Sequence, residues 1–273
     1  MWSNPETRQT VRSKVPSTFD EWRSGVRSFV PLLGAVTRVA THERLVALTF
    51  DDGPHPESTP QLVELLERHG ARGTFFVVGE SAHRHRELIR RMAEAGHAIG
   101  NHSWDHPSFP MLESHERQRQ LRACEETIAP YSTGLFRPPY GHLDWPSRLD
   151  LARLHYRVVT WSTSAADWRD DPASVLYERL AQGLGPGRIL LLHDALAVYE
   201  DERFCSRAAT LEAVRLLVNR HGADYQFVTL PQLLRHGRPV PAWWHVRGDP
   251  EYLARLRRPG MSNADQGYRA QGA

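Results

Sequence analysis

Five short stretches concentrate the side chains that could do chemistry: Asp51-Asp52, the pair His102 and His106, Arg137, Asp167-Trp168, and His193-Asp194. His102 and His106 stand four residues apart, which brings both imidazoles to one side of a helical turn. A carboxylate from another part of the chain would complete a three-ligand, open-faced site for Zn2+ or a similar divalent ion. Adjacent aspartates such as Asp51 and Asp52 raise one another's pKa and resist joint burial, so a cation and a guanidinium are needed beside them. In extended backbone the two point in opposite directions. One can then hold a metal while its neighbour takes a proton from an attacking water.

The elements that must position these groups are legible from Leu45 onward, where short apolar runs alternate with helical patterns. Strands are predicted over 45–50, 74–78, 97–101, 135–137, 157–162, 188–192 and 225–229. Runs such as Leu45-Val46-Ala47-Leu48 and Ile189-Leu190-Leu191-Leu192 are apolar at consecutive positions, as parallel strands covered on both faces are. Helices are predicted from Thr59-Pro60 to Gly70, from near Ala82 to Gly96, after Asp171-Pro172, and from Ala208 to Gly222, with apolar stripes that serve as core. Seven strand–helix units without internal repeat imply an α/β barrel or a doubly wound sheet, one strand short of a full TIM barrel. Each chemical cluster falls at the carboxyl end of a predicted strand, the rim where such folds build active sites.

Composition narrows the functional classes. The chain has 273 residues, 40% hydrophobic and 24% charged, enough to bury a core without disulfides. Cys124 and Cys205 form no C-x-x-C pair, so a metal here must use histidine and carboxylate. Lys14 is the only lysine and lies in no phosphate-binding loop, which excludes a P-loop and a Schiff-base lysine. The net charge of +2 comes from arginines dispersed among acids, so neither a nucleic-acid partner nor a membrane partner is expected. No run of 18 apolar residues exists, and Phe29–Val36 is short and broken by Pro31, so a cytoplasmic location is expected. The expected organisation is a polar N-terminal arm over 1–40, a catalytic domain over 41–238, and a C-terminal extension with a flexible tail over 239–273.

TFDDGP at 49–54, HSWDH at 102–106, RPPYG at 137–141, Asp167-Trp168 and LLHD at 191–194 together resemble the five ordered motifs of the polysaccharide deacetylases, the NodB-homology or family 4 carbohydrate esterases. The resemblance covers about residues 45–235. It implies a single-domain, distorted seven-stranded (β/α)7 barrel, TIM-barrel-like, and metal-dependent hydrolysis of N-acetyl groups on an amino-sugar substrate. It makes Asp52, His102 and His106 the metal ligands, with zinc first among Zn2+, Co2+, Mn2+, Ni2+ and Fe2+, and Asp51 the base. Arg137 would hold the base, Tyr140 would offer its backbone N–H to the oxyanion, and His193 would be the acid, oriented by Asp167. Leu191 and Trp168 would wall the acyl pocket. One departure stands out: Ser164 occupies the place of the first aspartate in the family's D-x-x-D-W.

Two histidines and a carboxylate also suit a non-haem iron oxygenase, against which the acid/base pair Asp51 and His193 argues. A small N-acylated metabolite is the alternative substrate, and a non-catalytic carbohydrate-binding relative the remaining rival. Trp104, Phe109, Tyr140, Trp145 and Trp168 are the aromatics able to stack on a pyranose, whereas Trp243-Trp244 are expected to dock the C-terminal segment.

Overall fold

Strand β2, Leu45–Asp51, is buried at all seven positions and lies at the centre of a parallel sheet in this computed structural model, which describes residues 34–256. Its neighbours are β3, Gly73–Val77, and β8, Ile189–His193, and the order continues outward through β4, Ala98–Asn101, β5, Ser132–Phe136, and β6, Arg157–Val158, on one side and β7, Thr163–Ser164, on the other. β9, Gln226–Phe227, pairs with the start of β2. Val46, Leu48 and Phe50 of β2 join the core beneath the helices, so alternation turns Ala47, Thr49 and Asp51 toward the inside of the curled sheet. The seven strands along the path of this curled α/β sheet, to which β9 adds an eighth beside β2, agree with the seven-stranded barrel predicted from the sequence.

Register decides the rest. Asp51 pairs with His193 and with Phe76, Val77 with Asn101, and Asn101 with Phe136. The strand ends are therefore level, and the residues that follow them, Asp52, His102 and Arg137, emerge together at one rim. The helices that back the sheet include α1, Ser58–Arg68, which buries Leu62, Val63 and Leu66, and α2, Gly79–Arg84, followed after His85 by α3, Arg86–Glu94. α4, Ser114–Ile128, opens with a capping box between Glu113 and Glu116, and α5, Trp145–Arg153, with the Asp144 carboxylate accepting the Ser147 N–H. α6, Ala173–Gln182, and α7, Ala208–His221, turn Leu176, Leu180, Val214 and Leu217 inward. α8, Leu230–Arg235, and α9, Pro250–Arg255, are shorter than two turns.

Three features differ from the sequence expectation. The stretch expected as one strand over 157–162 holds only β6 at its start, with β7 just beyond its end, because the start pairs with β5 whereas the Ser162 N–H already donates to the Ile189 carbonyl of β8. Between them Val159 bridges to Val36, and the Thr160 N–H donates to the Val36 carbonyl. Val36 belongs to β1, Ala35–Ala40, within the residues expected as an arm; it pairs antiparallel with β10, Arg238–Ala242, in a separate two-stranded sheet. The helix expected near Ala82–Gly96 is split at His85. Residues 1–33 and 257–273, where most of the expected arm and the tail fall, lie outside the described residues. Among the described residues no helix is long and apolar enough to cross a membrane.

Candidate active site

Asp52, His102 and His106 are all buried, and one ligand atom from each falls within 4.8 Å of the others. Asp52 Oδ1 lies 3.3 Å from His102 Nε2 and 3.2 Å from His106 Nε2, yet has no hydrogen-bond partner, while Oδ2 accepts the Ala197 N–H at 2.9 Å. His102 Nδ1 is 2.7 Å from the Arg137 carbonyl, which can only accept, so Nδ1 carries the proton and Nε2 presents a lone pair. Lone pairs of His102 Nε2 and Asp52 Oδ1 thus face one another with no proton donor between them, an arrangement that a divalent cation would satisfy. Burial pushes the Asp52 carboxyl up, but the His106 charge and the closeness of both imidazoles push harder, and it rests well below the usual carboxylate range. The residues fit the metal that the motif implies.

Asp51 faces the same space from the other side. Its Oδ1 accepts from Arg137 Nη1 at 2.7 Å, and its Oδ2 lies 3.9 Å from His102 Nε2. Arg137 is fully buried. The same Nη1 donates to Thr49 Oγ1 at 2.8 Å and Nη2 to the Thr160 carbonyl at 2.9 Å, with the guanidinium 4.2 Å above the Phe76 ring. One oxygen of Asp51 is therefore anchored and the other is left for chemistry.

His193, opposite Asp51 in the β2–β8 register, donates from Nδ1 to Asp167 Oδ1 at 2.8 Å, and its backbone N–H donates to Asp167 Oδ2 at 2.9 Å. The Thr210 hydroxyl, from α7, completes Oδ2 at 3.0 Å, and Arg207 Nη1 holds the Asp167 carbonyl at 2.9 Å. Burial alone would lower the imidazole, but the Asp167 charge and hydrogen bond, helped by Asp52 and Asp51, raise it to about 9. Burial raises and the His193 charge lowers the Asp167 carboxyl, which ends below its ordinary value. His193 is thus kept cationic, with Nε2 as the ring nitrogen that Asp167 does not engage.

Asp51, Asp52, His102, His106 and His193 line a cavity of about 430 Å3, walled on its apolar side by Trp161, Trp168 and Leu191. Trp168 meets His193 edge-on at 5.5 Å, and the Tyr140 ring packs 4.5 Å from His106. Tyr140 sits at φ 58 in the turn Pro139–Gly141, and Asp52, Ser103, His106 and Ala166 also have positive φ. Left-handed backbone at non-glycine residues is concentrated around the site, where packing imposes it. Gly53 is required for a different reason: a Cβ there would meet Asp194 Oδ2 at 2.0 Å. Ser164 Oγ accepts the Ala166 N–H at 3.0 Å, so the serine closes the turn that leads to Asp167.

All ten residues singled out by sequence meet at this rim. Sequence reasoning missed Thr49, Trp161, Thr210, Arg207 and the Ala197 N–H. Asp194, named beside His193 but given no role, has its Oδ2 accepting from Thr59 Oγ1 at 2.5 Å, and burial raises its carboxyl to about 7. Nothing in the sequence of α7 could have flagged Thr210.

A family model described as polysaccharide deacetylase matches residues 38–159. Among curated proteins, the chain is 34% identical over 197 residues to the chitooligosaccharide deacetylase of Azorhizobium caulinodans, covering 68% of this chain and 92% of that protein. The chain belongs to the polysaccharide deacetylase family. It is also 32% identical over 198 residues to the peptidoglycan-N-acetylmuramic acid deacetylase PdaC of Bacillus subtilis; the match takes in 71% of this chain but spans only 40% of the length of PdaC. Among solved structures, a family 4 carbohydrate esterase from Streptomyces lividans in complex with acetate superposes with a TM-score of 0.62 at 29% identity, covering 74% of this chain and 98% of that one.

Proposed function

We propose that this family member hydrolyses the N-acetyl group of an amino-sugar substrate, using one divalent cation, zinc first, held by Asp52, His102 and His106. The observation that carries the reading is the convergence, in one cavity, of that buried triad with an anchored carboxylate, Asp51, and a cationic imidazole, His193. The relatives named as deacetylases of chitooligosaccharides and of peptidoglycan support the acyl group and the sugar.

The cation supplies Lewis acidity to the amide carbonyl and acidifies the attacking water. Asp51 Oδ2 accepts the proton of that water, while Arg137 holds Oδ1 still. The Tyr140 backbone N–H stabilises charge developing on the carbonyl oxygen. His193 Nε2 delivers a proton to the nitrogen as the C–N bond breaks, converting a poor leaving group into an amine. Trp168 and Leu191 enclose the acyl methyl. An oxygenase would have no use for this base and acid in one cavity with the metal triad. The cavity lies in the size range of small-molecule sites, which favours soluble N-acetylglucosaminyl compounds of a few units or fewer over an intact wall polymer.

Acetate release from N-acetylglucosamine oligomers, scored beside elemental analysis of protein purified without chelator, tests the reading. Near-stoichiometric metal that His102→Ala loses, together with acetate release that chelation abolishes, is expected. Full metal occupancy in His102→Ala would remove the ligand assignment, and absence of acetate from every acetylated sugar by the metal-loaded protein would remove the activity.

A further inference from the structure

Trp243-Trp244 divide their work in a way the sequence did not predict. Trp244 docks: its Nε1 donates to the Gly141 carbonyl at 2.8 Å, and its ring meets Trp161, a wall of the catalytic cavity, edge-on at 5.0 Å. Trp243 does not. It is 66% exposed, and its ring centroid lies 6.1 Å from that of Trp145, itself 44% exposed, at an interplanar angle of 32°. Val246, 38% exposed, extends the patch, and the Arg148 guanidinium lies 4.8 Å from the Trp243 ring.

Large exposed indoles cost solubility and are uncommon unless something covers them. Here they are held in place rather than left at a loose end. Trp145 opens α5 behind the Asp144 cap, so it stands at the rim end of that helix, directly after the loop that carries Arg137 and Tyr140. The segment bearing Trp243 is tied to the same loop by reciprocal backbone bonds between Leu143 and Val246, at 2.8 and 3.1 Å, and by Arg247 to Asp144 at 3.7 Å. The neighbouring Trp244 packs on Trp161, which lines the cavity.

We infer that Trp145 and Trp243 form a stacking platform for a second pyranose ring of the glycan whose N-acetyl group enters the catalytic cavity. A pyranose presents an apolar face of C–H groups to an indole and hydroxyls at its edge, which an exposed guanidinium such as that of Arg247 can meet. Continuity with the loop that carries the candidate base-holder and oxyanion donor makes the occupant a further unit of the same substrate. The ligand's identity rests on the deacetylase reading, whereas the platform's existence does not.

The test compares one-, two- and four-unit N-acetylglucosamine oligomers with wild type, Trp243→Ala and Trp145→Ala, by acetate release and by calorimetric titration. Stacking of this kind is worth about 0.5–1.5 kcal/mol, so each variant should lose roughly 2- to 12-fold in affinity and in kcat/KM on the tetramer, mainly through KM, with under about twofold change on the monomer. Trp243→Phe should keep most of the tetramer preference. Equal losses on all lengths, or no loss on the tetramer, would overturn the platform. So would a shift from dimer to monomer in Trp243→Ala by sedimentation, which would assign the patch to a second copy. If wild type releases no acetate from any oligomer yet binds the tetramer in a Trp243-dependent manner, the activity fails and the platform stands.

Discussion

Asp167→Asn isolates what holds the candidate acid in its charged form. The substitution keeps the shape of the side chain and an oxygen for His193 Nδ1, but removes the negative charge that, with its hydrogen bond, offsets burial and lifts His193 to about 9. Without it the imidazole falls toward its ordinary 6.5. At pH 8 an imidazole of pKa about 9 is about nine-tenths protonated and one of about 6.5 is about 3% protonated, so titration alone removes roughly 30-fold in rate. At pH 6 both are mostly protonated, and the remaining gap is the cost of lost orientation. The sign is fixed by the role: an acid must carry its proton, so the limb of kcat/KM that falls with rising pH moves to lower pH in the variant. The assay is acetate release from pH 5.5 to 9.5, with His193 followed by NMR titration. A variant-to-wild-type ratio equal at pH 6 and pH 8, or an unmoved alkaline limb, would refute the argument.

Three further outcomes follow from the geometry. Asp51→Asn should retain metal by elemental analysis while losing about 10²- to 10⁴-fold in kcat, the scale of a general base. Arg137→Met strands the Asp51 charge in a dry interior and should cost about 3–5 kcal/mol in urea melts; adding Asp51→Asn should recover much of it, and simple additivity would contradict the pairing. Burial raises Asp194 to about 7, so the folded chain holds this proton more tightly than the unfolded one. That contribution is complete below the unfolded value near 4 and is lost as pH rises through about 7. In metal-free protein the melting temperature of Asp194→Asn relative to wild type should therefore rise between pH 5 and pH 8, and a constant difference would exclude the titration.

The chemistry was legible because each group follows a strand whose apolar run reads clearly, as Asp51-Asp52 follows Leu45–Phe50 and His193 follows Ile189–Leu192. The spacing of His102 and His106 carried the metal site, and the order of the motifs carried the family. β1 and β10 were not legible. Their sequences, AVTRVA and RPVPA, have neither a long apolar run nor strict alternation, and Pro239 and Pro241 argue against a strand unless it stands at an edge, as β10 does. Their pairing is a tertiary fact between residues some two hundred positions apart, as the bond from Thr37 Oγ1 to the Val240 carbonyl shows. The same distance hid the exposure of Trp243, although docking was expected for both indoles and is found for Trp244.

The chain's order of synthesis also follows from this topology. The three candidate ligands lie between residues 52 and 106, at the ends of β2 and β4, which flank β3 as consecutive neighbours. The Arg137 that holds Asp51 arrives soon after. Asp167, His193 and Thr210 emerge much later, and β1 waits for β10 before either has a partner in its own sheet. A nascent chain therefore presents its three candidate ligands before its candidate proton donor, while the Ala197 N–H that fixes Asp52 and the β1–β10 pair are added late, so the ligand set gains its full support only after most of the sheet has formed.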